Sequence, residues 1–212
     1  MINASASKLL LVEGRDDKSV VSAICKVSRI DIDFDIIDCG GVTNALKLFG
    51  KYISRMPLSR DLTTVGVIVD ADQDIGRRFN EIKTILRNIG CDIDTLPATG
   101  LILNNVEDEQ RIGIWIMPDN NTRGMLEDFI KFLVPPNDVV MQSVEEHLNS
   151  IEKHRINRYS PIHRQKAVIH SWLALQEDPG MSMGASITRK VLATRTSESC
   201  KLFVEWMNNL FR

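Results

Sequence analysis

Val65-Gly66-Val67-Ile68-Val69 is an apolar run with no polar alternation, and it stops abruptly at Asp70-Ala71-Asp72. A strand with one solvated face alternates apolar and polar residues, so an unbroken run of this length fits a strand covered on both faces, as in a parallel sheet. Lys8-Leu9-Leu10-Leu11-Val12 is a second such run, broken by Glu13-Gly14. Phe34-Asp35-Ile36-Ile37 also reads as a strand, stopped by Asp38-Cys39-Gly40-Gly41. Each is followed by helical spacing. Val20, Val21, Ala23, Ile24 and Val27 predict a helix over 16–27, and Ala45, Leu46, Leu48, Phe49, Tyr52 and Ile53 predict another with Thr43 as its N-cap. A third helix fits 76–88, with Gly90 closing it. Three strand-then-helix units predict an α/β fold, a mostly parallel sheet flanked by helices, because parallel neighbours need a crossover connection.

The pattern changes after Pro97. Two apolar stretches, 100–105 and 112–117, flank the acidic Glu107-Asp108-Glu109 and predict a β-hairpin insertion. Pro118-Asp119-Asn120-Asn121 then reads as a turn, and helices are predicted over 125–134, 144–153, 161–176 and 197–211. Pro135-Pro136-Asn137 is the one obvious joint, dividing a core of residues 1–135 from a helical C-terminal extension of 136–212 packed on it. With 43% hydrophobic residues, 212 residues suffice for one sizeable core. No apolar run approaches the length of a bilayer span, and MINASASK lacks the order of a secretory signal, so a cytoplasmic protein is expected. Cys25, Cys39, Cys91 and Cys200 form no CxxC pair and read as small buried residues.

Three carboxylates, Glu13, Asp70 and Asp72, fall at strand ends, where an unpartnered charge is expensive. In a parallel sheet such ends converge on the ligand-binding edge, together with Gly40 and Gly41, whose pairing predicts a tight turn. Asp70 and Asp72 are two residues apart, and in extended geometry both would project to the same side. That spacing suits a hard cation such as Mg²⁺, with Asp74 in reach as an outer group. Turn or helix-cap chemistry explains a lone DxD equally well.

Taken in order, Leu11-Val12-Glu13-Gly14-Arg15-Asp16-Asp17 and Val67-Ile68-Val69-Asp70-Ala71-Asp72 resemble the two signature motifs of the Toprim domain, shared by topoisomerases, bacterial primases, small RNA maturases and OLD-type nucleases. The whole chain looks most like the small stand-alone Toprim-like proteins akin to OLD nucleases. The motif match covers roughly residues 8 to 135; Lys166-Ala167-Val168-Ile169-His170, Asp178-Pro179-Gly180 and Met183-Gly184 fit the same small group. The resemblance implies a Toprim-like sheet and one or two Mg²⁺ or Mn²⁺ ions. It implies Glu13 as metal ligand or general acid/base and Asp70 and Asp72 as metal ligands. By the same analogy Asp17 and Glu127 would serve a second metal, and Lys166 would offset charge in the transition state. Each of the last three has a plainer reading: Asp17 and Glu127 suit the first turns of their helices, and Lys166 suits a solvated helix face.

Residues 153–166 hold Lys153, His154, Arg155, Arg158, His163, Arg164 and Lys166 with no acid among them, against a net charge of -2 for the chain. Lys153, Arg155, Arg158 and Arg164 are thus candidates for contacting a nucleic-acid backbone, DNA in preference to RNA, although a solvated helix and loop accounts for them too. His147, His154, His163 and His170 are spaced too widely to share an ion and read as surface or capping residues. Trp172, Leu173, Leu175, Phe203, Trp206 and Leu210 read as helix-packing residues. The functional expectation is metal-dependent phosphodiester chemistry on nucleic acid, by resemblance a nuclease in DNA processing or phage defence. The alternative is a non-enzymatic or conditionally active Toprim module: OLD-type nucleases carry an ATPase domain, and with no GxxxxGK[ST] loop here, a separately encoded ATPase partner would be needed.

Overall fold

The computed structural model describes residues 7–58, 61–105 and 110–212. Five strands form one sheet: β1 (Lys8–Val12), β2 (Asp35–Asp38), β3 (Thr64–Asp70), β4 (Leu101–Asn105) and β5 (Gln110–Met117), in the order β2-β1-β3-β5-β4. The first four in that order are parallel, and β4 pairs antiparallel with β5 through the predicted hairpin. The acidic segment expected at the hairpin's turn lies outside the described residues. The helices are α1 (Arg15–Ser28), α2 (Val42–Ile53), α3 (Ile75–Arg87), α4 (Leu126–Phe132), α5 (Val139–Lys153), α6 (Arg164–Ala174), α7 (Met183–Thr188) and α8 (Glu198–Phe211). The chain is therefore a mixed α/β protein with a mostly parallel sheet, as its apolar runs predict. Among the described residues no helix is long and apolar enough to cross a membrane.

Alternation along each strand sorts the side chains into two cores. Leu10, Val12, Ile68, Trp115 and Met117 face one side, with α1, α4, α5, α6 and α8 over them. Leu9, Leu11, Val65, Val67, Val69, Ile114 and Ile116 face the other, under α2 and α3 through Phe49, Ile53, Ile82 and Leu86. The helices after residue 136 thus share one continuous core with the sheet.

A pair of glycines shapes the first face. Gly66 on β3 sits opposite Gly113 on β5. A Cβ on Gly113 would lie 2.3 Å from the Leu210 side chain, and one on Gly66 2.8 Å from it. The missing side chains leave a notch in the sheet into which α8 presses Leu210. Around it Phe211 stacks on Phe34 at 3.8 Å between ring centroids, Trp206 Nε1 donates to the Leu101 carbonyl at 3.2 Å, and Lys8 Nζ donates to the Phe211 carbonyl at 2.8 Å.

Several local expectations change. Gly41, with φ 120°, is the N-cap of α2, so Thr43 lies inside the first turn. Asp74 caps α3, accepting from the Arg77 N–H at 3.0 Å, which commits one of its oxygens to the backbone. The helix expected from Pro161 opens as a 3₁₀ turn over Pro161–His163 before α6 begins. Leu175 stays 62% exposed, because α6 ends at Ala174 and its apolar face ends with it. Cys91 is only half-buried, whereas the other three cysteines are buried. The short α7 was not anticipated; six residues carry too little periodicity, although Ser182 caps it, accepting from the Ala185 N–H at 3.2 Å. It packs on α1, with Gly184 so close to Ser19 that an added Cβ would sit 2.2 Å from the hydroxyl.

If the glycine notch anchors α8, Leu210→Ala opens a cavity against two strands and lowers unfolding stability by about 2–5 kcal/mol. Chemical denaturation would show a lower midpoint at an unchanged slope.

Candidate metal site at the carboxyl edge of the sheet

β1 and β3 are neighbours in register, so Glu13 and Asp70, which end them, meet at one edge. The Asp70 N–H donates to Glu13 Oε1 at 2.8 Å, tying the two strand ends together. Asp17 stands in the first turn of α1 because Gly14 breaks β1, and its Oδ2 accepts from the Gly14 N–H at 3.1 Å. The helix-start reading of Asp17 is therefore correct for one of its two oxygens. Glu127 enters from the first turn of α4 and is only 3% exposed; its Oε1 lies 3.2 Å from Lys166 Nζ on α6.

These five side chains line one open cleft of about 670 Å³, with Gly40, Gly41, Asp38 and Arg15 completing its wall. Residues more than a hundred positions apart in the chain are thus brought together. Asp72 is not among them. β3 ends at Asp70, and Asp72 adopts φ 55°, so the chain is no longer extended where the DxD argument needs it to be. Its backbone instead bridges Gly124, with N–H to carbonyl distances of 2.8 and 2.9 Å, and its carboxylate pairs with Arg78 Nη2 at 2.7 Å. An aspartate tolerates this left-handed conformation better than most residues. Asn120 is the buried turn residue it resembled: its Oδ1 accepts from the Ile116 N–H at 2.7 Å.

Electrostatics set the cleft apart from the rest of the molecule. Burial, then repulsion from Glu13, pushes the Asp17 carboxyl up to about 7. Burial, then Glu13, Asp17 and Glu127 around it, holds Asp70 well above the usual carboxylate range. Glu13 is raised too, by burial, against the opposing pull of the Asp70 N–H. Asp17 Oδ1 and Asp70 Oδ1 are buried and have no hydrogen-bond partner among the described residues. An acceptor left in that state costs about 1–3 kcal/mol, more if charged, unless a proton or a cation reaches it.

Among the described residues no three His, Cys, Asp or Glu side chains converge as a ready-made metal cage. Mg²⁺ does not require one, since it keeps several waters and uses one or two carboxylates plus substrate phosphate. Two unpartnered carboxylate oxygens beside Glu13 and Glu127 fit that demand for hard oxygen donors.

The basic stretch is divided by the structure. Lys153, Arg155 and Arg158 are exposed on α5's end and the loop after it. Arg164 Nε instead donates to Glu152 Oε1 at 3.0 Å and its Nη2 to Asn149 Oδ1 at 2.8 Å, and Tyr159 donates to the same Glu152 at 2.6 Å. Neither His154 nor His163 approaches the cleft; their Nδ1 atoms lie 2.7 Å from the Ser150 carbonyl and 3.2 Å from Ser160 Oγ. Arg78, which sequence reasoning passed over, donates through Nε to the Asp70 carbonyl at 2.7 Å. Its one signal is its position as the fourth residue of α3, six residues after Asp72.

A carboxyl whose folded value is raised binds more protons folded than unfolded, so its stabilising effect is full at low pH and is lost as pH rises. For Asp17 the loss runs from about 4 to about 7. In chelating buffer, thermal melts of the wild-type chain should therefore fall in midpoint from about pH 5 to about pH 8, and Asp17→Asn should flatten that fall. An unchanged slope in the variant would remove Asp17 from the coupled cluster.

Neither a curated protein nor a solved structure matches the chain. A family model described as a protein of unknown function (DUF3226) matches residues 7–212, so the chain belongs to that family.

Proposed function

We propose that this chain is a Toprim-type enzyme that uses a divalent cation, Mg²⁺ or Mn²⁺, for phosphodiester cleavage of nucleic acid. The observation that carries the reading is the buried, unpartnered carboxylate oxygen of Asp70 at the end of β3, inside a cleft it shares with Glu13, Asp17 and Glu127. A cation there would supply charge neutralisation and an activated oxygen nucleophile. Asp70 and Asp17 would hold it through their free oxygens. Glu13 keeps one oxygen on the Asp70 N–H, which leaves the other to accept a proton or meet the cation's shell. Lys166, half-exposed beside Glu127, is positioned to meet a phosphate oxygen that enters the cleft. The glycine turn Gly40-Gly41 brings bare backbone to the same wall, where a phosphate can approach closely.

Substrate would reach this edge along the basic loop. Lys153, Arg155 and Arg158 are exposed, and the chain then runs through Pro161 and Ile162, which line the cavity beside Asp72. Phosphate contacts of this kind bind without regard to sequence.

Supercoiled plasmid DNA should be nicked by the purified chain with Mn²⁺ or Mg²⁺, and nicking should disappear in Asp70→Asn. The same variant should melt higher than wild type in chelator at about pH 8, because it removes an acid whose ionisation is opposed by burial and by its like-charged neighbours. Persistent nicking by Asp70→Asn would sink the assignment. Replacing Lys153, Arg155 and Arg158 together by Ala should weaken DNA binding and reduce its log–log salt slope by about 2 to 3. A slope that stays the same would place the nucleic acid elsewhere on the surface.

A further inference from the structure

Arg78 is the one basic side chain among the buried described residues, at 6% exposure. Each of its three nitrogens has its own acceptor. Nε donates to the Asp70 carbonyl at 2.7 Å, Nη2 to Asp72 Oδ2 at 2.7 Å and Nη1 to Glu81 Oε2 at 2.6 Å. The guanidinium cannot turn without breaking all three, and its planar fork has no equivalent in lysine.

Two consequences follow from these contacts. The main chain of Asp70 is gripped on both sides: Glu13 Oε1 takes its N–H at 2.8 Å and Arg78 takes its carbonyl. The carboxylate between those grips keeps a buried oxygen, Oδ1, with no hydrogen-bond partner among the described residues. Asp72, meanwhile, is fixed twice over, its backbone on Gly124 and its carboxylate on Arg78. It lines the neighbouring cavities with Arg123, Gln73 and Arg77 and is not among the residues lining the cleft that holds Glu13 and Asp17.

We infer that Arg78 is a positioning residue that clamps the Asp70 peptide and retains Asp72 outside the cation's coordination shell, so that Asp72 acts through Arg78 and not as a ligand. The inference rests on the metal site proposed above and assigns unequal work to the two aspartates of the DxD turn. Charge and geometry oppose each other here, which makes the role measurable. Removing a cation from the neighbourhood should tighten Mn²⁺ binding by Coulomb's law alone. Removing a clamp should loosen it, by about tenfold or more for an outer-sphere partner.

The test is Mn²⁺ binding followed by electron paramagnetic resonance on the full chain, with amide exchange measured on metal-free protein. Asp72→Asn, which retains an acceptor for Arg78, should shift the Mn²⁺ dissociation constant by no more than about fivefold, the scale of one half-exposed charge. Asp70→Asn should cost far more. Arg78→Gln should weaken Mn²⁺ by about tenfold. Should that variant not fold, Arg78→Lys tests the same clamp, because the ammonium preserves the charge and loses the fork. In metal-free protein Arg78→Lys should speed exchange of the Asp70 amide by about fivefold relative to that of Val67 in mid-strand. Equal losses in Asp72→Asn and Asp70→Asn, or tighter Mn²⁺ binding in Arg78→Gln, would overturn the inference. A wild-type chain that binds no Mn²⁺ would refute the metal site and with it the role given to Asp72. The exchange of the Asp70 amide would then decide the clamp by itself: faster exchange upholds it, and unchanged exchange rejects it.

Discussion

β3 is hydrogen-bonded on both edges and covered on both faces, and most of the molecule is a response to that condition. A strand so enclosed has no polar side to offer water, so its sequence is apolar from Val65 to Val69 and its partners must be other buried strands and two layers of helices. Enclosure also dictates what happens where the strand stops. Asp70 follows six buried residues and inherits their dry surroundings, while its neighbours on β1, α1 and α4 add three more acids to the same edge. The cleft is acidic and poorly solvated for the same reason that the strand is stable.

The carboxyl edge is therefore a place where structure and electrostatics disagree, and the disagreement is local. Elsewhere the described charges are paired or wet. Arg77 and Arg78 meet Glu81, Arg87 meets Asp92, and Arg189 meets Asp178. Only at the ends of β1 and β3 do several carboxylates, two of them buried with an unpartnered oxygen, share a space whose basic lining residues are the exposed Arg15 and the half-exposed Lys166. A stability-driven sequence would have paired or removed them, and clusters of this kind are found where a protein handles charge for a purpose.

Much of this was legible in the sequence, and the parts that were not share a cause. The strands announce themselves through apolar runs, and Glu13 and Asp70 are fixed by being the residues that end them. Asp17, Glu127 and Lys166 came from the resemblance, and the fold brings them to the same cleft. Asp72 was misjudged in geometry because spacing arguments assume the strand continues, whereas the backbone turns left-handed at that residue. Arg78 was passed over because its position early in α3 does not by itself separate a helix arginine in solvent from one folded back under a turn. Arg164 looked free because its acidic partner, Glu152, lies on the preceding helix. For the two arginines the missing information was a side-chain direction set by tertiary contacts; for Asp72 it was a backbone turn held by its bridge to Gly124.

The glycine notch carries a consequence for how the molecule comes into being. A ribosome delivers the chain from its N-terminus, so Gly66 and Gly113 are synthesised long before the leucine that fills the gap between them. Until residues near 210 emerge, one face of the central strands carries an open slot and an unstacked Phe34. The nascent sheet is then an exposed apolar surface awaiting a segment made much later, and chaperone dependence during translation would concentrate on that face. Every residue that lines the acidic cleft, from Glu13 to Lys166, is by contrast already made before α8 emerges.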